Sequence, residues 1–194
     1  MKRAALLSTA LVLVLAGCGG ERDDVATSDP AASPSASAGA PAAPTGESCP
    51  ITARSVPAPA DATTDLSTKP VVPANSAPPP AEVTVADVVV GDGEEATTLS
   101  SATVKYVGAF YSSGEEFDSS WSRGPDETFD LTVCANGTIP GFAIAPTGMK
   151  VGGRRFVTIP AELGYGAEGS PPTIPPNSPL VFVIDLVDVT PPQG

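Results

Sequence analysis

The sequence predicts an α+β domain of antiparallel strands and one short helix, from three observations. Five segments beyond residue 82 are strand-like in their β-branched content and two-residue alternation. One segment alone suits a helix, and all ten aromatic residues fall between Tyr106 and Phe182. The first 105 of the 194 residues offer no ring for a core to pack around, so the second half is read as one domain of about 110 residues.

Taken in order, residues 1–17 read as a signal peptide, with Lys2 and Arg3 ahead of an apolar run from Ala4 to Ala16 that is too short to span a bilayer. The run ends in Leu15-Ala16-Gly17-Cys18, which resembles the lipobox of bacterial lipoproteins. That resemblance implies cleavage before Cys18, a lipid on its thiol, and a chain anchored to the bacterial cell membrane outside the cytoplasm. Residues 18–80 then read as the lipidated cysteine and a low-complexity linker, since Gly19–Pro80 holds 12 of the 23 prolines, in runs such as SPSASAGAPAAP and SAPPP. Cys49 and Cys134 are the remaining thiols. In an oxidising compartment they either close into a disulfide or stay free.

The domain is placed at residues 81–191. Val83, Val85 and Val88–Val90 form a first strand before the turn GDGEEA, and ATVKYVGAFY (102–111) forms a second, closed by Ser112-Ser113-Gly114. TFDLTV (128–133) and RRFVTIP (154–160) follow, the latter with Phe156 and Thr158 on one face and Val157 and Ile159 on the other. In LVFVIDLVDV (180–189), Leu180, Phe182, Ile184 and Leu186 share the face expected to be buried, opposite Val181, Val183, Asp185 and Val187. Gly141–Thr147 is the helical segment, entered at Pro140 and stopped by Pro146.

Composition narrows the chemistry. A net charge of −12 argues against nucleic acid as a partner. Histidine is absent, which excludes Ser-His-Asp and Cys-His catalysis and histidine metal sites. Gly164–Gly169 matches GxGxxG, yet Pro171-Pro172 follow at once and leave no helix to receive a pyrophosphate, so it reads as a turn-rich flap.

The segments YVG, EEFDSSWSR, GTIPGF, GMKVGGRRFVTIP and LGYGAEGSPPTIPPNSPLVF, in this order and spacing, resemble an FKBP-type peptidyl-prolyl cis-trans isomerase domain over roughly residues 82–190. The resemblance implies a twisted antiparallel sheet wrapped around the short helix, with an apolar pocket between them. It also implies that Tyr106, Phe117, Asp118, Tyr165 and Phe182 carry catalysis, while Arg123, Phe129, Thr138, Ile139, Phe142 and Ile174 bind substrate. Phe142 would form the floor, where the family often has tryptophan. The Ile139 N–H and Tyr165 hydroxyl would donate to a substrate carbonyl. Trp121, outside the family's pattern, reads as an exposed substrate contact or, alternatively, as a lid. No metal or organic cofactor is implied. The expected partners are proline-containing exported polypeptides and macrolides of the tacrolimus or rapamycin type, the chain itself being a monomer. Residues 82–194 hold 15 acidic and 5 basic side chains, so basic residues flanking proline are expected to speed association at low salt. The alternative is a tethered binding or chaperone module with the same groove and little catalysis.

Overall fold

The computed structural model describes residues 49–192; the expected signal segment, Cys18 and the first part of the expected linker lie outside them. Among the described residues seven strands form one sheet: β1 (Arg54–Ser55), β2 (Thr84–Val89), β3 (Ser101–Phe110), β4 (Glu116–Ser119), β5 (Phe129–Thr132), β6 (Arg154–Ile159) and β7 (Leu180–Thr190). Their spatial order is β1-β2-β6-β7-β3-β4, and β5 also pairs with β3. All pairings are antiparallel except β1 with β2. The centre is β3 against β7, in register from Ser101↔Thr190 to Phe110↔Leu180 across one bulge. The other edge of β3 is shared, Ser101–Val104 pairing with β5 and Val107–Ala109 with β4.

Alternation along β7 puts Leu180, Phe182, Ile184 and Leu186 into one core with Phe142 and Ile144, as anticipated from the sequence. The opposite face is buried too. Val181 and Val183 pack with Val107, Ala109 and Phe156 beneath a cover from residues 56–72, including Val56, Ala58, Ala62 and Val72. The linker reading therefore needs correction over 49–80, where the chain is part of the folded body. A proline-rich extended segment can serve this way because it has few N–H groups to satisfy while its rings and methyls supply apolar surface.

Arg154 shows what anchors this cover. It is fully buried, and its five N–H donors are all used. Nε and Nη2 bond the two Asp185 oxygens at 2.5 and 2.7 Å. Nη1 bonds the carbonyls of Thr63 and Asp65 at 2.9 and 3.0 Å, and Nη2 that of Thr68 at 3.0 Å. Burial pushes the Asp185 carboxyl above the usual carboxylate range, and Arg154 pulls against that shift. At the start of the cover, Cys49 is joined to Cys134 by a disulfide with a Cα–Cα distance of 5.4 Å, within the span such bonds take.

The helix is shorter than anticipated. α1 covers Pro140–Ala143 rather than Gly141–Thr147, because Pro146 cannot donate to Phe142 and the chain closes in turns instead. Arg155, ion-paired to Asp87 at 2.6 Å, donates to the carbonyls of Ala145 and Thr147 that the missing turns leave open.

Candidate active site

A recess of about 240 Å³ opens between α1, β3–β5 and β7, lined by Tyr106, Phe117, Asp118, Phe129, Gly137, Thr138, Ile139, Phe142, Tyr165 and Phe182. Its floor is Phe142, which α1 carries inward. Gly141 lets the helix come this close: a Cβ there would lie 2.5 Å from Ile159 Cγ2 on β6. Phe142 meets Phe182 at 4.9 Å, Tyr106 at 5.7 Å and Phe129 at 6.0 Å, all edge-on. Phe117 stands edge-on to Phe182 at 5.7 Å. Such contacts add about 0.5–1.5 kcal/mol each beyond area burial, so the rings hold one another in place. Gly108 makes room for the wall, since a Cβ there would sit 2.8 Å from both Phe117 and Phe182.

Polar groups enter at the rim. β4 places Asp118 across from Gly108, and the register is secured where Tyr106 N–H donates to Ser120 Oγ at 3.0 Å and Ser119 Oγ donates to the Tyr106 carbonyl at 3.2 Å. The Tyr106 hydroxyl donates to Asp118 Oδ2 at 2.5 Å and accepts from Arg123 Nη2 at 3.0 Å. Arg123 Nη1 bonds Asp118 Oδ1 at 2.7 Å. Desolvation first, and the Asp118 hydrogen bond second, push the Tyr106 hydroxyl above its ordinary value. Tyr165 is shifted upward as well, by desolvation and then by the Asp118 charge. Both phenols are therefore protonated near neutral pH. Tyr106 spends its proton on Asp118. Tyr165 makes no side-chain hydrogen bond among the described residues and is part-exposed, so its O–H is available to a ligand. The Ile139 N–H, just ahead of α1, likewise has no acceptor among the described residues.

Nine of the eleven residues assigned to catalysis and substrate binding line this recess. Arg123 does not; it acts on the recess through Asp118 and Tyr106 and lies over the Tyr106 ring at 5.6 Å. Ile174 is buried in the core, where its backbone pairs with Ser170 to shape the flap. Trp121 also departs from expectation. It packs on the outer cluster with the Lys105 ammonium 4.7 Å above its ring, away from the recess. The sequence reading missed Gly137, which lines the recess beside Thr138, and the spacer role of Gly108. The motif YVG did contain that signal, as a glycine inside an otherwise β-branched and aromatic strand.

Comparison with known proteins agrees with this geometry. Residues 93–187 match the model of the family described as FKBP-type peptidyl-prolyl cis-trans isomerase. A probable FK506-binding protein of Corynebacterium glutamicum is 44% identical over 119 residues, 61% of this chain and 97% of its own length. An FK506-binding protein of Streptomyces anulatus is 44% identical over 122 residues, with 62% and 97% covered. Among solved structures, FkpA from Escherichia coli superposes with a TM-score of 0.51 at 37% identity, covering 58% of this chain and 50% of that one. A ring-lined recess under a one-turn helix, in a chain this similar to such relatives, identifies a member of the FKBP-type peptidyl-prolyl cis-trans isomerase family.

Proposed function

We propose that the protein accelerates rotation about X–Pro bonds in exported polypeptides, outside the cytoplasm, held to the cell membrane by a lipid on Cys18. The barrier to overcome is about 18–20 kcal/mol, set by amide resonance. No bond is made or broken, so no nucleophile or base is required. The prolyl ring rests on Phe142 between Tyr106, Phe117 and Phe182, where water is excluded. Desolvation favours the twisted amide, because twisting removes the charge separation that resonance creates and water stabilises. The Ile139 N–H and Tyr165 O–H donate to substrate carbonyls, offsetting their desolvation. Asp118, fixed by Tyr106 and Arg123, presents its charge to the carbonyl carbon of the twisted amide. A thousandfold acceleration requires about 4 kcal/mol of such differential binding.

The observation that supports this reading most is the meeting of the ring-lined recess with two uncommitted donors, Ile139 N–H and Tyr165 O–H. The test is proline-limited refolding of a model substrate with the full chain. The slow phase should accelerate in proportion to enzyme, tacrolimus should abolish the effect, and Asp118→Ala should weaken it. Refolding that ignores the protein would refute the reading. For the anchor, mass analysis of the mature N-terminus should show acylated Cys18; an unmodified cysteine there would remove the tether. Sedimentation should give a monomer.

A further inference from the structure

Beside the recess lies a second cavity, of about 270 Å³, walled by β5 and the loop Ala135–Thr138. It shares Phe129, Gly137 and Thr138 with the recess, so the two are separated only by that rim. Among the described residues β5 pairs with β3 alone, so no strand covers its outer edge along this wall, where the Thr132 carbonyl accepts only the local Ala135 N–H at 3.2 Å. An unpaired edge is a ready acceptor of an extended chain. The recess itself is smaller than the roughly 300–1,000 Å³ of ordinary ligand pockets, so residues flanking a bound proline must lie outside it. Asp130 is the one charged residue lining the second cavity. It is exposed, and its Oδ1 accepts from Thr103 Oγ1 at 2.6 Å, which orients the carboxylate.

We propose that this cavity is a subsite for the substrate chain adjoining the proline, which passes over Gly137–Thr138, runs along the β5 edge, and is preferred when it carries a basic side chain for Asp130. The inference rests on the isomerase reading for its occupant. It locates in a single carboxylate a preference that overall acidity would spread over the whole surface.

The experiment uses the full chain and fluorescent proline peptides carrying Lys or Glu one to three residues to either side of the proline. Binding is read by anisotropy and turnover by isomerisation rate, at low and physiological salt. At one of these positions the Lys peptide should bind and turn over about two- to fivefold better than its Glu counterpart at low salt, the size expected of an exposed ion pair. Asp130→Asn, which keeps the hydrogen bond to Thr103, should bring that ratio close to one. Equal affinities for Lys and Glu peptides at every position, or a Lys preference that survives Asp130→Asn, would overturn the subsite. A Lys preference in binding that depends on Asp130, with no turnover of any peptide, would uphold the subsite and refute the isomerase reading. Absence of binding to every peptide would overturn both.

Discussion

Replacing Asp185 by Asn tests how the proline-rich cover is held. The substitution preserves shape but removes the charge opposite Arg154, a side chain with no exposure whose remaining partners are the carbonyls of Thr63, Asp65 and Thr68. One of the two Asp185 contacts, from Nε or Nη2, would then face an amide N–H₂ instead of an oxygen. Breaking one side of a buried ion pair costs about 3–5 kcal/mol. For a chain of this size, that lowers Tm by roughly 6–20 °C at about 2–4 °C per kcal/mol. Urea unfolding is readily followed through Trp121, the chain's one tryptophan, which packs against the same outer cluster as the cover. The double variant Arg154→Met/Asp185→Leu leaves no unpaired charge and should recover much of the loss, while still forfeiting the three carbonyl bonds. If Asp185→Asn costs less than about 1 kcal/mol, Arg154 is reached by water and the dry anchoring described for it is wrong.

Three further outcomes follow from the same contacts. The Cys49–Cys134 bond closes a loop of sequence separation 85, so the Cys49→Ser/Cys134→Ser variant should lose up to about 4–5 kcal/mol in urea unfolding by the loop-closure model; equal midpoints would show that the bond does not constrain the unfolded chain. Gly108→Ala would drive a methyl into Phe117 and Phe182, and should cost about 1–3 kcal/mol and reduce isomerase activity together; a neutral result would mean the wall is loosely packed. Tyr106 ionises later in the folded chain than in the unfolded one, so stability should fall as pH rises from 10 through its raised folded value. Ultraviolet titration of the wild type against Tyr106→Phe would check this, and a phenol titrating at or below 10 would contradict it.

The parts of the fold legible in the sequence are those where one local period decides. Leu180, Phe182, Ile184 and Leu186 alternate cleanly, so their place in one core followed from the pattern, while on β6 the alternation separated Val157 and Ile159 from Phe156 without saying which core each would join. The recess residues were not legible one by one. Phe117 and Phe182 resemble any strand aromatics, and Asp118 does bond the next N–H, at Ser119, as a turn residue would. Only the spacing of several motifs together separated them from ordinary core. Ile174 shows the limit of that route: it occupies the expected position and is spent on the core. The cover over residues 49–80 was hidden for a physical reason. Its composition is that of a linker, and what orders it is a set of distant donors on Arg154, the edge of β2 and a disulfide, none of which leaves a local trace. β4 was missed likewise, since four residues beside Ser119 and Ser120 carry too little alternation, and their pairing depends on hydroxyls bonding the Tyr106 backbone.

In the proposed function, the ring-lined recess with Tyr165 and Asp118 at its rim performs the isomerisation. Its most direct test is kcat/KM on a proline peptide for Phe182→Ala and Tyr165→Phe, with native Trp121 fluorescence confirming that each variant is folded. Phe182→Ala should lose tenfold or more, on the order of 1.4 kcal/mol or more of transition-state binding, and Tyr165→Phe about two- to tenfold for its lost hydrogen bond. Folded variants that both retain wild-type kcat/KM would contradict the proposed function.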